Sequence, residues 1–257
     1  MGYNEGQSVK SRNDGPVIEL RVIEVAAERL TDESLPIAGI RMGPRQIDPR
    51  KFAALGRLVE RFNSDEDPVI TEVFGPLHGG RKFSVQIVAT SGIPAPYDAW
   101  TATYRGCLTM FFNLSEWTEA DLDRSGFGVL KHEVTHVLLE PLLRKSKTPD
   151  DVELLDSIVM DEGIAHFIGC PDRSSLLKEK AARWETAEQE LEKAYAGLND
   201  GRLPRERKAA LLRRANTGSF WDKYGSISGM FRAAKLYKIK GADGLIEAIR
   251  TSKLPRP

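Results

Sequence analysis

The sequence predicts an α+β protein, with strands in the first half and helices in the second. Two observations carry this. Short β-rich runs (VIELRVIEV, PVITEVF, KFSVQIVAT and RGCLTMFFNLS) are confined to residues before 116. From about residue 125 onward, apolar residues recur at helical spacing, and no internal repeat breaks the order.

Residues 1–16 are polar and read as a flexible lead. Residues 17–124 read as an N-terminal lobe and residues 125–257 as a helical lobe. VIELRVIEV reads as strand, although VAAERL behind it favours helix. Asp48 before Pro49 is a helix start, an N-cap followed by proline in the first helical position, and FAALGRLVERF continues it. PVITEVF and KFSVQIVAT are expected to be strands joined as a hairpin through GPLHGGR, in which His78 faces solvent. SGIPAPYD is a loop. Arg105 to Leu114 is a third strand.

Thr118 or Ser125 introduces the helix SGFGVLKHEVTHVLLE, which Pro141 ends. TPDD opens the next helix, which closes at Gly169 ahead of Pro171. SSLLKEKAARWETAEQELEKAYAGL is a long amphipathic helix that packs into the core. RERKAALLRR and residues 224–250 add further helix.

Composition excludes several functional classes. The 257 residues carry 37 Lys+Arg against 37 Asp+Glu, so neither a globally basic nucleic-acid binder nor an acidic tail protein fits. The basic run Arg202–Arg214 lacks interleaved aromatics and reads as a solvated helix face. Two cysteines, Cys107 and Cys170, make no disulfide framework and read as small buried apolar residues. No apolar stretch of membrane length or apolar leader core is present, so a cytoplasmic protein that contacts neither membrane nor nucleic acid is expected.

The informative words are His132-Glu133-Val134-Thr135-His136 and Asp161-Glu162-Gly163-Ile164-Ala165-His166. Residues four apart share a helix face, so His132 and His136 can turn their rings to one cation with tetrahedral preferences. Glu133 sits one position round and can take a proton from a water beside that cation. Shuffling this composition yields such a word only about 0.005 times. Three of the four histidines lie in these two words.

The helical repeat also puts Glu162 on an apolar face with Leu155, Ile158 and Val159. A buried carboxylate needs a partner. That partner is a metal ion, a basic side chain or a histidine ring. His166, one turn on, could orient a ligand, donate to an oxyanion or replace Glu162 as third ligand. Asp161 is placed to accept a hydrogen bond from a ligand histidine.

With Val129, Leu130, Val134, Thr135, Val137 and Leu138 around the first word, and MDEGIAHF as the second, residues 126–170 resemble the gluzincin-type zinc metallopeptidases. Asp161 stands where that family commonly has Asn. The resemblance implies a zincin-like fold, with a strand-containing upstream lobe and a helical downstream lobe around a metal cleft. It implies one Zn2+ per chain on His132, His136 and Glu162, with Glu133 as general base and a peptide or protein as substrate. It also implies a cleft strand that pairs with substrate, for which Arg105–Leu114 is the candidate. The segment FWDKYGSISGMF resembles a helix start seen late in some small members, making Tyr224 the candidate oxyanion donor. Two rivals stand beside this reading. One is a zinc-bearing regulatory or peptide-binding module with little hydrolysis. The other is a metal-free helical binding protein.

Overall fold

Strand β1 (Val17–Glu24) pairs in parallel with β2 (Lys82–Thr90), and that pairing decides what lies between them. Parallel neighbours cannot be joined by a hairpin and need a crossover. Two helices supply it, α1 (Pro49–Ser64) and α2 (Pro68–His78). Each starts the same way: Asp48 accepts from the Arg50 amide and Asp67 from the Val69 amide, with proline in the first turn. PVITEVF is therefore helix, which corrects the strand and hairpin expected there. Its β-branched run is overridden by the cap and by burial of Val69, Ile70, Val73 and Phe74. Gly79 ends α2 in the left-handed region at φ 57°.

The computed structural model describes residues 17–256 apart from 38, 41, 44, 45, 66 and 145; the expected lead over residues 1–16 lies outside them. The sheet runs in the order β1-β2-β4-β3. β4 (Cys107–Asn113) is parallel to β2 and antiparallel to β3 (Ala99–Tyr104). β3 was not foreseen as a strand. It joins β4 through Arg105 and Gly106, both at positive φ, as a two-residue hairpin turn prefers. Cys107 at this turn is exposed rather than buried.

A one-turn helix α3 (Glu119–Asp121), capped by Thr118, passes through a π-turn (Leu122–Gly126) into α4 (Phe127–Leu139). α5 (Asp151–Gly169) opens with a full capping box between Asp150 and Glu153 and stops before Pro171. The single long helix expected next is two. α6 (Leu176–Glu179) and α7 (Ala181–Asn199) are separated where Lys180 leaves helical dihedrals (φ −119°, ψ 21°). α8 (Arg205–Asn216) and α9 (Tyr224–Thr251) complete the helical part, with Gly241 at φ 62° interrupting α9.

One apolar core runs from a sheet face (Leu20, Ile87, Met110, Phe112) through α1, α2, α4 and α5 to Ile227 and Phe231 of α9. A smaller cluster, with Trp100, Tyr104 and Phe111 at its centre, covers the other face. α5 and α9 meet backbone to backbone: a Cβ on Gly163 would lie 2.5 Å from the Gly229 Cα. α4 and α5 approach as closely, since a Cβ on Gly169 would sit 2.7 Å from the Gly128 carbonyl oxygen. The fold is α+β and zincin-like, a sheet region followed by a mostly helical region, with His132, His136 and Glu162 between them. Among the described residues no helix is long and apolar enough to cross a membrane.

Candidate metal centre

α4 delivers both histidines from one face, and α5 crosses it with Glu162. The Nε2 atoms of His132 and His136 lie 3.0 Å apart. Glu162 Oε2 is 3.6 Å from His132 Nε2, and Oε1 is 3.9 Å from His136 Nε2. The three donor atoms all lie within 4.8 Å of one another, at half-buried side chains. Zinc with bonds near 2.0–2.1 Å holds tetrahedral donors about 3.3 Å apart, so only small adjustments separate this arrangement from a coordination shell.

The hydrogen bonds around the rings make the same point. His136 turns Nδ1 to Asp161 Oδ1 at 3.0 Å, and the far edge of His132 is turned to the Ala165 carbonyl. A carboxylate and a carbonyl only accept, so those ring nitrogens carry the protons. Both Nε2 atoms then face each other with the Glu162 carboxylate beside them, and at neutral pH the extra proton of His136 bridges the 3.0 Å between the rings. Once that proton leaves, three donor atoms converge on a space that a cation fits. Asp161 takes the orienting role expected of it.

Titration follows this crowding. Burial disfavours charge on His136, but Asp161 and Glu162 outweigh it and push the group up to about 10. His132 is held well below the ordinary value by burial and by the positive charges of His166, His136 and Lys223. His166 is lowered to about 3, chiefly by burial, then by Lys223 and His136.

Glu133 lies beside the cluster with 7% of its surface exposed. Burial raises its carboxyl above the usual range, offset in part by His136 and by the Thr101 hydroxyl, which donates to Oε2 at 2.7 Å. Thr101 belongs to β3, which among the described residues pairs with β4 alone. The Arg105–Leu114 candidate for a cleft strand is therefore corrected: β4 is interior, its edges taken by β2 and β3. β3 is the edge strand near Glu133. Its far end is partly covered, since Ser34 Oγ donates to the Thr103 carbonyl at 2.9 Å.

His166 lies against the cluster without being one of its three members. Its ring meets His132 edge-on at 4.4 Å, Phe220 stacks on it at 5.3 Å, and its buried Nδ1 stands 3.6 Å from Glu162 Oε2 with no hydrogen-bond partner. Tyr224 is not brought into the site. Its buried hydroxyl donates to the Leu211 carbonyl of α8 at 2.6 Å, and burial pushes it up to about 12. The expectation that it offers a free hydroxyl to an oxyanion is thus corrected. His78 is also not solvent-facing: its ring packs against Phe74 and Phe83 and its Nε2 donates to the Leu138 carbonyl at 3.0 Å.

Two partners of the cluster were missed from sequence, Thr101 and Asn216, whose Nδ2 donates to Glu162 Oε1 at 2.7 Å. Neither sits in a recognisable word. A third is Asp67, which reaches α4 at Lys131 (2.7 Å) and the chain after α5 at Arg173 (3.1 Å to one oxygen), fastening the two helices that bear the cluster to the start of α2. The cluster is consistent with a gluzincin-type site. No protein-family model, curated protein or solved structure matches the chain.

Proposed function

We propose that the chain is a zinc-dependent hydrolase that cleaves peptide bonds. The observation that supports this best is the convergence of two histidine ring nitrogens and the Glu162 carboxylate, with the buried carboxylate of Glu133 outside that set. A divalent cation held by His132, His136 and Glu162 supplies a water acidified toward ~7 and polarises a carbonyl. Glu133, its carboxyl raised by burial, accepts a proton from water and returns it to the leaving amine. Thr101 keeps that carboxylate from turning away. The β3 edge offers backbone groups to an extended peptide.

A second reading is favoured by His166. An unpartnered buried Nδ1 at 3.6 Å from Glu162 Oε2 could close the shell as a fourth protein ligand and leave a zinc-bearing binding module. Metal analysis of the purified chain, followed by a peptide-library assay with and without chelator, tests both. Chelator-sensitive cleavage lost in Glu133→Gln supports the hydrolase. Bound zinc without cleavage, weakened by His166→Ala, supports the module.

A further inference from the structure

The carboxylate of Glu162 is held from outside its own helix. Asn216, the last residue of α8, donates from Nδ2 to Oε1 at 2.7 Å, and its Oδ1 accepts from Ser226 Oγ at 2.7 Å. Ser226 is fully buried in the first turn of α9, and its hydroxyl also lies 3.3 Å from the Ala215 carbonyl. Chemistry fixes the direction of this relay. An ionised carboxylate only accepts, so the amide must present its NH2 to Glu162 and its oxygen to the serine. The opposite amide orientation would set oxygen against oxygen.

The relay has a consequence for the metal. A glutamate's terminal torsion is broad and roughly two-fold, so a free carboxylate can present either oxygen or both. Here Oε1 is engaged by the amide. Oε2 is left turned to His132 Nε2 and His166 Nδ1, at 3.6 Å from each.

We propose that Asn216, aligned by Ser226, is a positioning residue that commits Glu162 to bind the metal through Oε2 alone. This rests on the metal reading above. A carboxylate ordered before the ion arrives loses less freedom on binding. One-oxygen ligation also keeps a coordination position open that a two-oxygen grip would close.

The test measures Zn2+ affinity by competition with a chromophoric chelator, and the visible absorption of the Co2+-loaded chain. Asn216→Ala should weaken Zn2+ about 10- to 100-fold and reduce the intensity of the Co2+ bands, as the freed carboxylate moves to two-oxygen ligation. Ser226→Ala leaves the amide in place but unaligned. It should show the same spectral change with a smaller loss, and it keeps the test decisive if Asn216→Ala does not fold. Asn199→Ala removes a comparable amide–carbonyl bond, to Tyr195 in α7, and should leave both readouts unchanged. Wild-type affinity and band shape in Asn216→Ala and Ser226→Ala would overturn this assignment alone. A wild-type chain that takes up neither metal would overturn the metal reading and this inference with it.

Discussion

His136 Nδ1 and Asp161 Oδ1 are 3.0 Å apart, and this contact fixes which edge of the imidazole faces the metal centre. It also makes the free ring basic. Without a metal, His136 titrates at about 10, so at neutral pH it carries an extra proton in the space the cation would take. Metal uptake at pH 7 to 8 should therefore expel about one proton per chain. The sign follows: affinity rises with pH until His136 loses that proton, and falls in acid. Calorimetry in buffers of different ionisation enthalpy measures the number. Uptake without proton release would contradict the basicity assigned to His136.

Glu133→Gln should keep metal uptake and lower peptide hydrolysis by about 10²- to 10⁴-fold, the usual range for a lost general base. Thr101→Val is subtler. The threonine hydroxyl favours the ionised carboxylate, so its loss raises the Glu133 pKa further. The base works only when deprotonated, and activity falls as pH drops through its pKa. The acid limb of the pH–rate profile should therefore move to higher pH in Thr101→Val. A limb that stays in place would detach Thr101 from the base.

Asp67 is 4% exposed at its side chain and faces two cations, Lys131 and Arg173. Burial works against its ionisation, but those partners outweigh it and hold the carboxyl below the usual range. Asp67→Ala should destabilise the chain by about 3 kcal/mol, the low end for a broken buried pair, because both cations still reach some water. Urea unfolding checks this. The pKa is depressed on folding, so the contribution is present above about pH 4 and is lost as pH falls through the folded value.

Gly169→Ala should separate α4 from α5. The new methyl would lie 2.7 Å from the Gly128 carbonyl oxygen and 3.1 Å from the His132 Cβ. Overpacking of this kind costs about 1–3 kcal/mol. Since the strain falls between the helices that carry His132, His136 and Glu162, zinc affinity should fall with thermal stability. Stability lost at unchanged affinity would mean that the helix spacing does not set the metal geometry.

How far the letters carried depends on distance along the chain. His132, His136 and Glu162 were legible because four-residue spacing places the rings and an apolar face makes the carboxylate conspicuous. Asp161 was legible as the residue beside Glu162 on the same helix. The helix boundaries at Asp48-Pro49, Gly169 and Pro171 were legible because caps act locally. Thr101 and Asn216 were not, since a threonine in AWTATY and an asparagine in RRANT carry no local sign of what they face. PVITEVF was misread because a β-branched run followed by glycines looks like a strand and a turn. Only the parallel pairing of β1 with β2, a long-range fact, requires a crossover there. Tyr224 was misplaced because helix periodicity does not reveal that its hydroxyl meets α8.

The close contact of Gly163 with Gly229 ties the cluster to a stretch far along the chain. Residues 132–162 hold the three side chains of the cluster, but the amide and hydroxyl that steady Glu162 come from Asn216 and Ser226. Those sit where they do because α9 lies along α5. A fragment cut after residue 200 would keep the cluster and offer any ion a looser grip.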